Sequence, residues 1–395
     1  MNRNHLVGAV RNRLRRYPPP DDSHYGVVPL APTEEAVAVG DAAADHHAAI
    51  AALGRADALS TQFPSHFLLS RVLVRQEAVA SSDIEGTHST LDALLEAEET
   101  GEEQASDADL QVRDYAIALE TAIRDVESHG YDSFTIHTIE KLHRALMRND
   151  QDYVQRHGVP GEFRRKQVRI GGTNFATSTF NPPPYADVLS CMAEHIAYLR
   201  CEGMQQLHQS IITQMAVAHA HFEAVHPFPD GNGRVGRLLL PLMLTAAGHT
   251  ALYLSPYIAA FKPDYYDALR AAQQRLHFVP LISHLSRAII NTVTDAESAV
   301  SKLTDLQRDW TNKRKFRKHS AAERMLDKLA WHPVVTAKTV ERLVGASPAA
   351  ARTAINQLAD AGILTERTGK IRYRIFQARE VLAIYKNPSG GLEIA

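Results

Sequence analysis

Residues 226–237 read HPFPDGNGRVGR, and that dozen holds the residue types needed to handle a phosphate ester. Gly231 and Gly233 flank Asn232, so the backbone can turn tightly and let a ligand come close. From Arg234 onward the residues are good helix formers, which puts the glycines at a helix N-terminus. Free N–H groups and the positive dipole end there favour an anion. Arg234 and Arg237, three apart on the first helical turns, are spaced to grip phosphate oxygens. Asp230 offers a hard oxygen ligand beside the cradle, suited to Mg²⁺ shared with phosphates. His226 can act as general base near neutral pH. Base, carboxylate, anion cradle and two guanidiniums predict phosphoryl or nucleotidyl transfer.

The whole string matches His-x-Phe-x-Asp/Glu-Gly-Asn-Gly-Arg-x-x-Arg, and through it the chain resembles the Fic family. The resemblance implies a mostly α-helical core and transfer of AMP from ATP, with Mg²⁺, to a Ser, Thr or Tyr hydroxyl of a protein. Carried onto these positions, His226 deprotonates the hydroxyl and Phe228 anchors the loop. Asp230 then holds Mg²⁺, while Gly231, Asn232 and Gly233 bind the α- and β-phosphates. Arg234 supports the β-phosphate and Arg237 the γ-phosphate. A flap between 168 and 179 would dock the target as an added strand and touch the nucleotide through Gly171, Gly172 and Thr173. Tyr265, Tyr266 and Gln273 fall on a helix that lines the adenosine pocket. Rings at i and i+1 cannot both face the base, so one of the tyrosines belongs to the core.

A second string, Ser81-x-x-x-Glu85-Gly86, matches the family's inhibitory motif. Glu85 would pair with Arg237, taking the guanidinium that the γ-phosphate needs. Removal of AMP by a water that Glu85 activates is left open, as is transfer of another phosphate-linked group such as phosphocholine. Gly233 argues against the phosphotransferase branch, where that glycine is replaced. A metal-hydrolase reading of His219, His221, His226 and Asp230 fails on spacing, because residues two apart on a helix face different ways.

The elements that position these residues are predicted as mainly α. Helical patterns cover 33–53 (ended by Gly54), 67–83, 114–126, 135–147, 186–199, 207–222, 237–247 and 263–276. Residues 91–109 are acidic and read as an exposed helix and loop. Alternating β-formers, Gly171-Gly172 and three prolines mark 168–184 as a hairpin or flap. The expected units are a helical segment 1–105, a catalytic core 106–303, a basic linker or exposed helix end 304–319 and a winged helix-turn-helix 320–395. That last unit has helices at 321–330, 337–344 and 348–361, with strands at 363–366 and 371–376.

Apolar residues make up 45% and charged residues 22%, with a net charge of −2, so no global charge pulls the chain to nucleic acid or membrane. Cys191 and Cys201 form no knuckle or redox pair, the N-terminus lacks a secretory core, and no apolar run is long enough for a membrane span. A cytoplasmic protein is the expectation, with a homodimer left open. Residues 313–374 hold fourteen Lys and Arg against five Asp and Glu, an excess of nine positive charges. That local excess, with Arg352, Thr353, Asn356 and Gln357 on the expected recognition helix, gives an alternative reading as a DNA-binding regulator contacting DNA through 313–376.

Overall fold

The computed structural model describes residues 1–62, 71–100, 105–203, 209–369 and 374–387. It is mainly α. The chain opens with a short helix α1 (Gly8–Arg11) and an antiparallel hairpin, β1 (Leu14–Arg16) with β2 (Tyr25–Val27), Leu14 opposite Val27. Helix α2 (Ala43–Gln62) starts ten residues later than its pattern predicts and runs straight through Gly54. Pro29 and Pro32 keep the lead-in irregular, and Gly40 turns at φ +46°. Burial of Ala52, Leu53 and Ala56 outweighs the roughly 1 kcal/mol that a helical glycine costs.

Helices α3 (Arg71–Ile84), α4 (Leu91–Thr100) and α5 (Asp107–His129) pack on one another. The beginning of the expected 67–83 helix, with Leu68, lies outside the described residues. The expectation that 91–109 is an exposed acidic stretch is corrected: α4 buries Leu91, Leu94, Leu95 and Ala97. Its Glu98 pairs with Arg71 and with Arg75, so the acids face cations rather than water.

The chain continues with α6 (Ile136–Met147), α7 (Gln151–His157), α8 (Val188–Leu199), α9 (Ile211–Val225), α10 (Asn232–Ala246), α11 (Ser255–Ala260) and α12 (Lys262–Arg275). Side-chain N-caps start several of them, Ser106 at α5, Thr135 at α6 and Ser210 at α9. Helix α9 is buried on every face from Ile212 to Val225, and α10 packs against it, α5 and α6. These two central helices carry the candidate site between them. Between α7 and α8, the expected flap is tied by one antiparallel bridge, Ile170 with Phe180.

The last core helix, α13 (Val279–Lys313), continues through most of the segment expected as a linker. The reason is Trp310, fully buried, whose indole N–H donates to Glu380 at 2.8 Å. Beyond it lie α14 (Ala321–Leu329), β3 (Val334–Val335), α15 (Ala337–Val344), α16 (Pro348–Asp360), β4 (Thr365–Glu366), β5 (Phe376–Gln377) and α17 (Arg379–Lys386). The strands form an antiparallel sheet in the order β3-β5-β4. Residues 371–373 of the strand expected at 371–376 lie outside the described residues; β5 takes up its end. Strand β3 and helix α17 had no signal in the sequence pattern. Among the described residues no helix is long and apolar enough to cross a membrane.

Candidate active site

The 226–237 string forms the sharp turn from α9 into α10. His226 caps α9 in the left-handed region (φ 49°, ψ 61°), a conformation that costs a non-glycine residue about 1 kcal/mol or more. Arg164 holds it there. Its Nε donates to the His226 carbonyl (2.8 Å), and its Nη2 to the carbonyls of Pro183 (2.7 Å) and Val225 (3.3 Å). One buried guanidinium thus staples the loop to the base of the flap, and burial pushes its pKa down to about 10.

Phe228 is fully buried and stacks on the His143 ring, centroids 3.8 Å apart at 6°. His143 Nδ1 accepts from the Gly161 N–H (2.8 Å) and Nε2 donates to the Asp230 carbonyl (3.0 Å). That fixes a neutral tautomer, and burial lowers the ring's pKa to about 3. The Asn232 side chain closes the turn, accepting from the Phe228 N–H and donating to its carbonyl, both at 2.9 Å. Its amide is therefore a structural pin, and only its backbone faces a ligand. Gly231 is the N-cap at φ +79°, where a Cβ would press on Met147 Sδ. With no side-chain cap on α10, its first N–H groups are open to an anion.

The His226 side chain is 20% exposed. Burial, helped by the Arg164 charge, pushes its pKa down to about 4, partly offset by the Glu223 carbonyl and the Glu85 charge. It is neutral at pH 7, the form a general base needs. Asp230 is exposed, one carboxylate oxygen accepting from the Gly231 N–H at 2.6 Å. Among the described residues no cluster of three or more His, Cys, Asp or Glu could cage a metal. A single free-standing carboxylate fits Mg²⁺ held jointly with nucleotide phosphates, the usual habit of that ion.

Arg237 is fully buried. Its Nε donates to Ser81 Oγ (3.0 Å), and its Nη2 to the Ser81 carbonyl (2.8 Å) and to Glu85 Oε1 (2.8 Å). Burial alone would raise the Glu85 carboxyl's pKa, but the charge and hydrogen bond of Arg237, with Arg234 behind, bring it below the ordinary range. The Glu85 carboxylate also lies on Gly233, where even a Cβ would overlap Oε1. It therefore sits in the anion seat at the head of α10. Arg234, equally buried, lies 3.8 Å from Asp150 and 3.1 Å from Met147 Sδ.

Helix α3 is fixed independently. Buried Glu77 accepts from the Ser255 N–H (2.8 Å), the Ser255 hydroxyl (2.5 Å) and the Tyr115 hydroxyl (3.1 Å). Lys262 donates to the Ile84 carbonyl at 2.7 Å, closing the helix end just before Glu85 and Gly86, which turns at φ +88°.

Of the two tyrosines, Tyr265 is the core residue, its hydroxyl 2.7 Å from His219 Nε2, which corrects its assignment to the nucleotide pocket. Tyr266 is 40% exposed. Gln273 is half-buried at the rim of an apolar cavity of about 330 Å³. Gly171 (φ +65°) and Gly172 (φ +66°) let the flap fold onto Thr179 and Thr177, and Thr173 Oγ1 lies 3.5 Å from Thr177 Oγ1. His219 is bound to Gly236 and Tyr265 within the core, away from any metal set with His221 and Asp230.

Sequence reasoning missed Arg164, His143, Lys262 and Glu223. Glu223 is buried one turn before His226, 3.9 Å from its Nδ1, and burial pushes its carboxyl up to about 8. A lone carboxylate in the apolar run of α9 was the signal for it; the others are joined only by the fold.

Two family profiles match the chain, Fic/DOC family N-terminal over residues 44–124 and Fic/DOC family over 133–244. Protein adenylyltransferase Fic of Drosophila erecta is 33% identical over 140 residues, 35% of this chain, and that of Culex quinquefasciatus 31% over 143 residues, 36% of it. The match spans a quarter of the length of each relative. Among solved structures, a Fic family protein from Desulfovibrio desulfuricans G20 superposes with a TM-score of 0.51 at 21% identity, over 88% of this chain and 98% of that one. Fic-1 (residues 134–508) of C. elegans gives 0.50 at 22%, over 66% and 73%. These two share the fold. The region matched by the N-terminal profile contains Glu85, and the region matched by the Fic/DOC profile contains the 226–237 turn.

Proposed function

We propose that this protein is an adenylyltransferase that moves AMP from ATP to Ser, Thr or Tyr hydroxyls of proteins, itself included, and that Glu85 holds it off. One observation carries the reading: a carboxylate lies in the anion seat of a glycine-rich helix N-terminus, bonded to a buried arginine that pairs with no other carboxylate among the described residues. Nδ1 of His226 is turned to Glu223, leaving Nε2 for the incoming hydroxyl. Nε2 takes the hydroxyl proton as the oxygen bonds to the α-phosphorus, and the bond from that phosphorus to the β-phosphate oxygen breaks to release pyrophosphate. The N–H groups at the head of α10 bind the phosphates, Arg234 lies behind them, and Arg237 takes the γ-phosphate once Glu85 leaves. Mg²⁺, held by Asp230 and the phosphates, would neutralise charge on the leaving pyrophosphate.

Mass spectrometry after incubation with Mg-ATP tests this. The wild type gains little, Glu85→Gly gains AMP, and the gain vanishes when His226→Ala is added. An unmodified Glu85→Gly protein refutes the inhibitory role, and a different added mass identifies another transferred group.

A second reading concerns the C-terminal helices. The α16 face bearing Arg352, Thr353 and Asn356 is exposed, which supports duplex DNA binding there. A salt-dependent shift of duplex DNA by the full chain is expected, and its absence at low salt leaves the domain as a protein-binding unit.

A further inference from the structure

Helix α3 carries Glu85 at its C-terminal end, and its other end is held by the C-terminal helices and strands. Gln76 donates to the Tyr385 carbonyl at 2.6 Å, and Arg71 lies 3.2 Å from His332 Nδ1. Helix α4, joined to α3 through Arg71, Arg75 and Glu98, is held more firmly still. Arg367, just past β4, places Nε 2.7 Å from Glu96 and Nη1 3.7 Å from Asp92. Lys386 on α17 lies 2.7 Å from the same Asp92 carboxylate. Glu99 accepts from the Thr339 hydroxyl at the first turn of α15, where the helix dipole also favours its charge. The acids of α4 thus meet cations and a helix N-terminus of the C-terminal unit, and α17 is in turn locked to α13 by Trp310 and Glu380.

We propose that this face of the C-terminal unit is an interaction surface whose partner is the α3–α4 segment of the same chain, and that its grip keeps Glu85 in the anion seat. The inference rests on the inhibitory reading of Glu85. Because α3 is one rigid helix of fourteen residues, roughly 20 Å long, displacement of α4 from Arg367 and Lys386 moves the far end of the lever that carries Glu85. A shift of the off–on equilibrium at that remote face then changes activity without touching a residue that meets nucleotide.

A charge swap tests it in the full chain, with self-modification by Mg-ATP as readout. Arg367→Glu is expected to raise the rate about two- to fivefold, the shift one partly exposed ion pair can give a two-state equilibrium. Adding Glu96→Arg restores the pairing and returns the rate toward wild type. Lys386→Glu with Asp92→Asn repeats the design on a second contact, should the first variant fold poorly, the amide relieving the repulsion without setting a cation against Arg367. Amide hydrogen exchange in α3 is expected to quicken in the single variants and recover in the double variants. If Glu85→Gly is active while Arg367→Glu and Lys386→Glu stay at the wild-type rate with unchanged α3 exchange, the clamp is overturned and the inhibitory reading stands. If Glu85→Gly itself gains nothing, both fall together.

Discussion

Replacing Glu85 by Ala sets two effects against each other, and the structure gives their signs. Arg237 loses the one carboxylate bonded to it while keeping both bonds to Ser81. Breaking a fully buried pair costs about 3–5 kcal/mol because the remaining charge is stranded. The Glu85 side chain, however, is 33% exposed, so solvent already screens part of the attraction, and about 1–2 kcal/mol is the working figure. For a chain this long that lowers the unfolding midpoint by a few degrees at most. The open seat then takes nucleotide in full, and at a concentration near 100 times Kd, binding returns about 2.7 kcal/mol.

The assay is thermal unfolding with and without Mg-ATP, in a His226→Ala background so that no AMP is transferred. Glu85→Ala is expected to melt below its parent in buffer and to gain more from nucleotide than its parent does. The pH dependence follows from the lowered Glu85 pKa. A depressed carboxyl stabilises the folded state above its ordinary range and loses that contribution as pH falls through the folded value. The gap between parent and variant in buffer should therefore close in acid. Equal midpoints at pH 7, or equal nucleotide shifts, would refute competition between Glu85 and the γ-phosphate for Arg237.

Two further outcomes are expected. In a Glu85→Gly background the rate should hold as pH drops through 6.5 and fall only toward about 4, since His226 stays neutral down to there; an acid limb centred near 6.5 would mean the ring is not desolvated in the working enzyme. Glu223→Gln should stabilise the fold increasingly as pH rises from about 4.5 to 8, by up to a few kcal/mol, because a carboxyl whose folded pKa is raised loses stability over that window and the amide does not; a constant difference across the window in thermal unfolding would assign the effect to packing instead.

The catalytic turn was legible because its determinants are local. Glycines at 231 and 233, the helix formers after Arg234 and the charged residues Asp230, Arg234 and Arg237 all fall within one short stretch of chain. The Glu85–Arg237 pair was legible only through the match to the family's inhibitory motif, since nothing in either segment says that 152 positions of chain close the distance. Arg164 and His143 were not legible at all: each holds the loop through backbone carbonyls or N–H groups that any residue would present. The same limit explains the errors over α4 and α13. Acidic residues were read as solvated and 304–319 as a linker, because the partners that bury them, Arg71, Arg75, Arg367 and Glu380, come from other parts of the chain.

Those long-range partners also bear on how firmly Glu85 is held in the proposed off state. Arg237 is buried in a position where its charge must be met by an anion, and the two Ser81 bonds supply none. Glu85 does so at hydrogen-bond distance and, in the proposed cycle, a phosphate takes its place, so the seat is costly to leave empty. Glu77, bonded to Ser255 and Tyr115, and Lys262, bonded to Ile84, tie α3 to α5, α11 and α12 and resist its displacement. Under the proposed clamp, exchange of the two occupants has α3 shift against these bonds and carry the turn after Ile84 with it. Restraints at the α4 end then bear on the same equilibrium through the helix axis, so activation by nucleotide and activation through the C-terminal unit should reinforce one another.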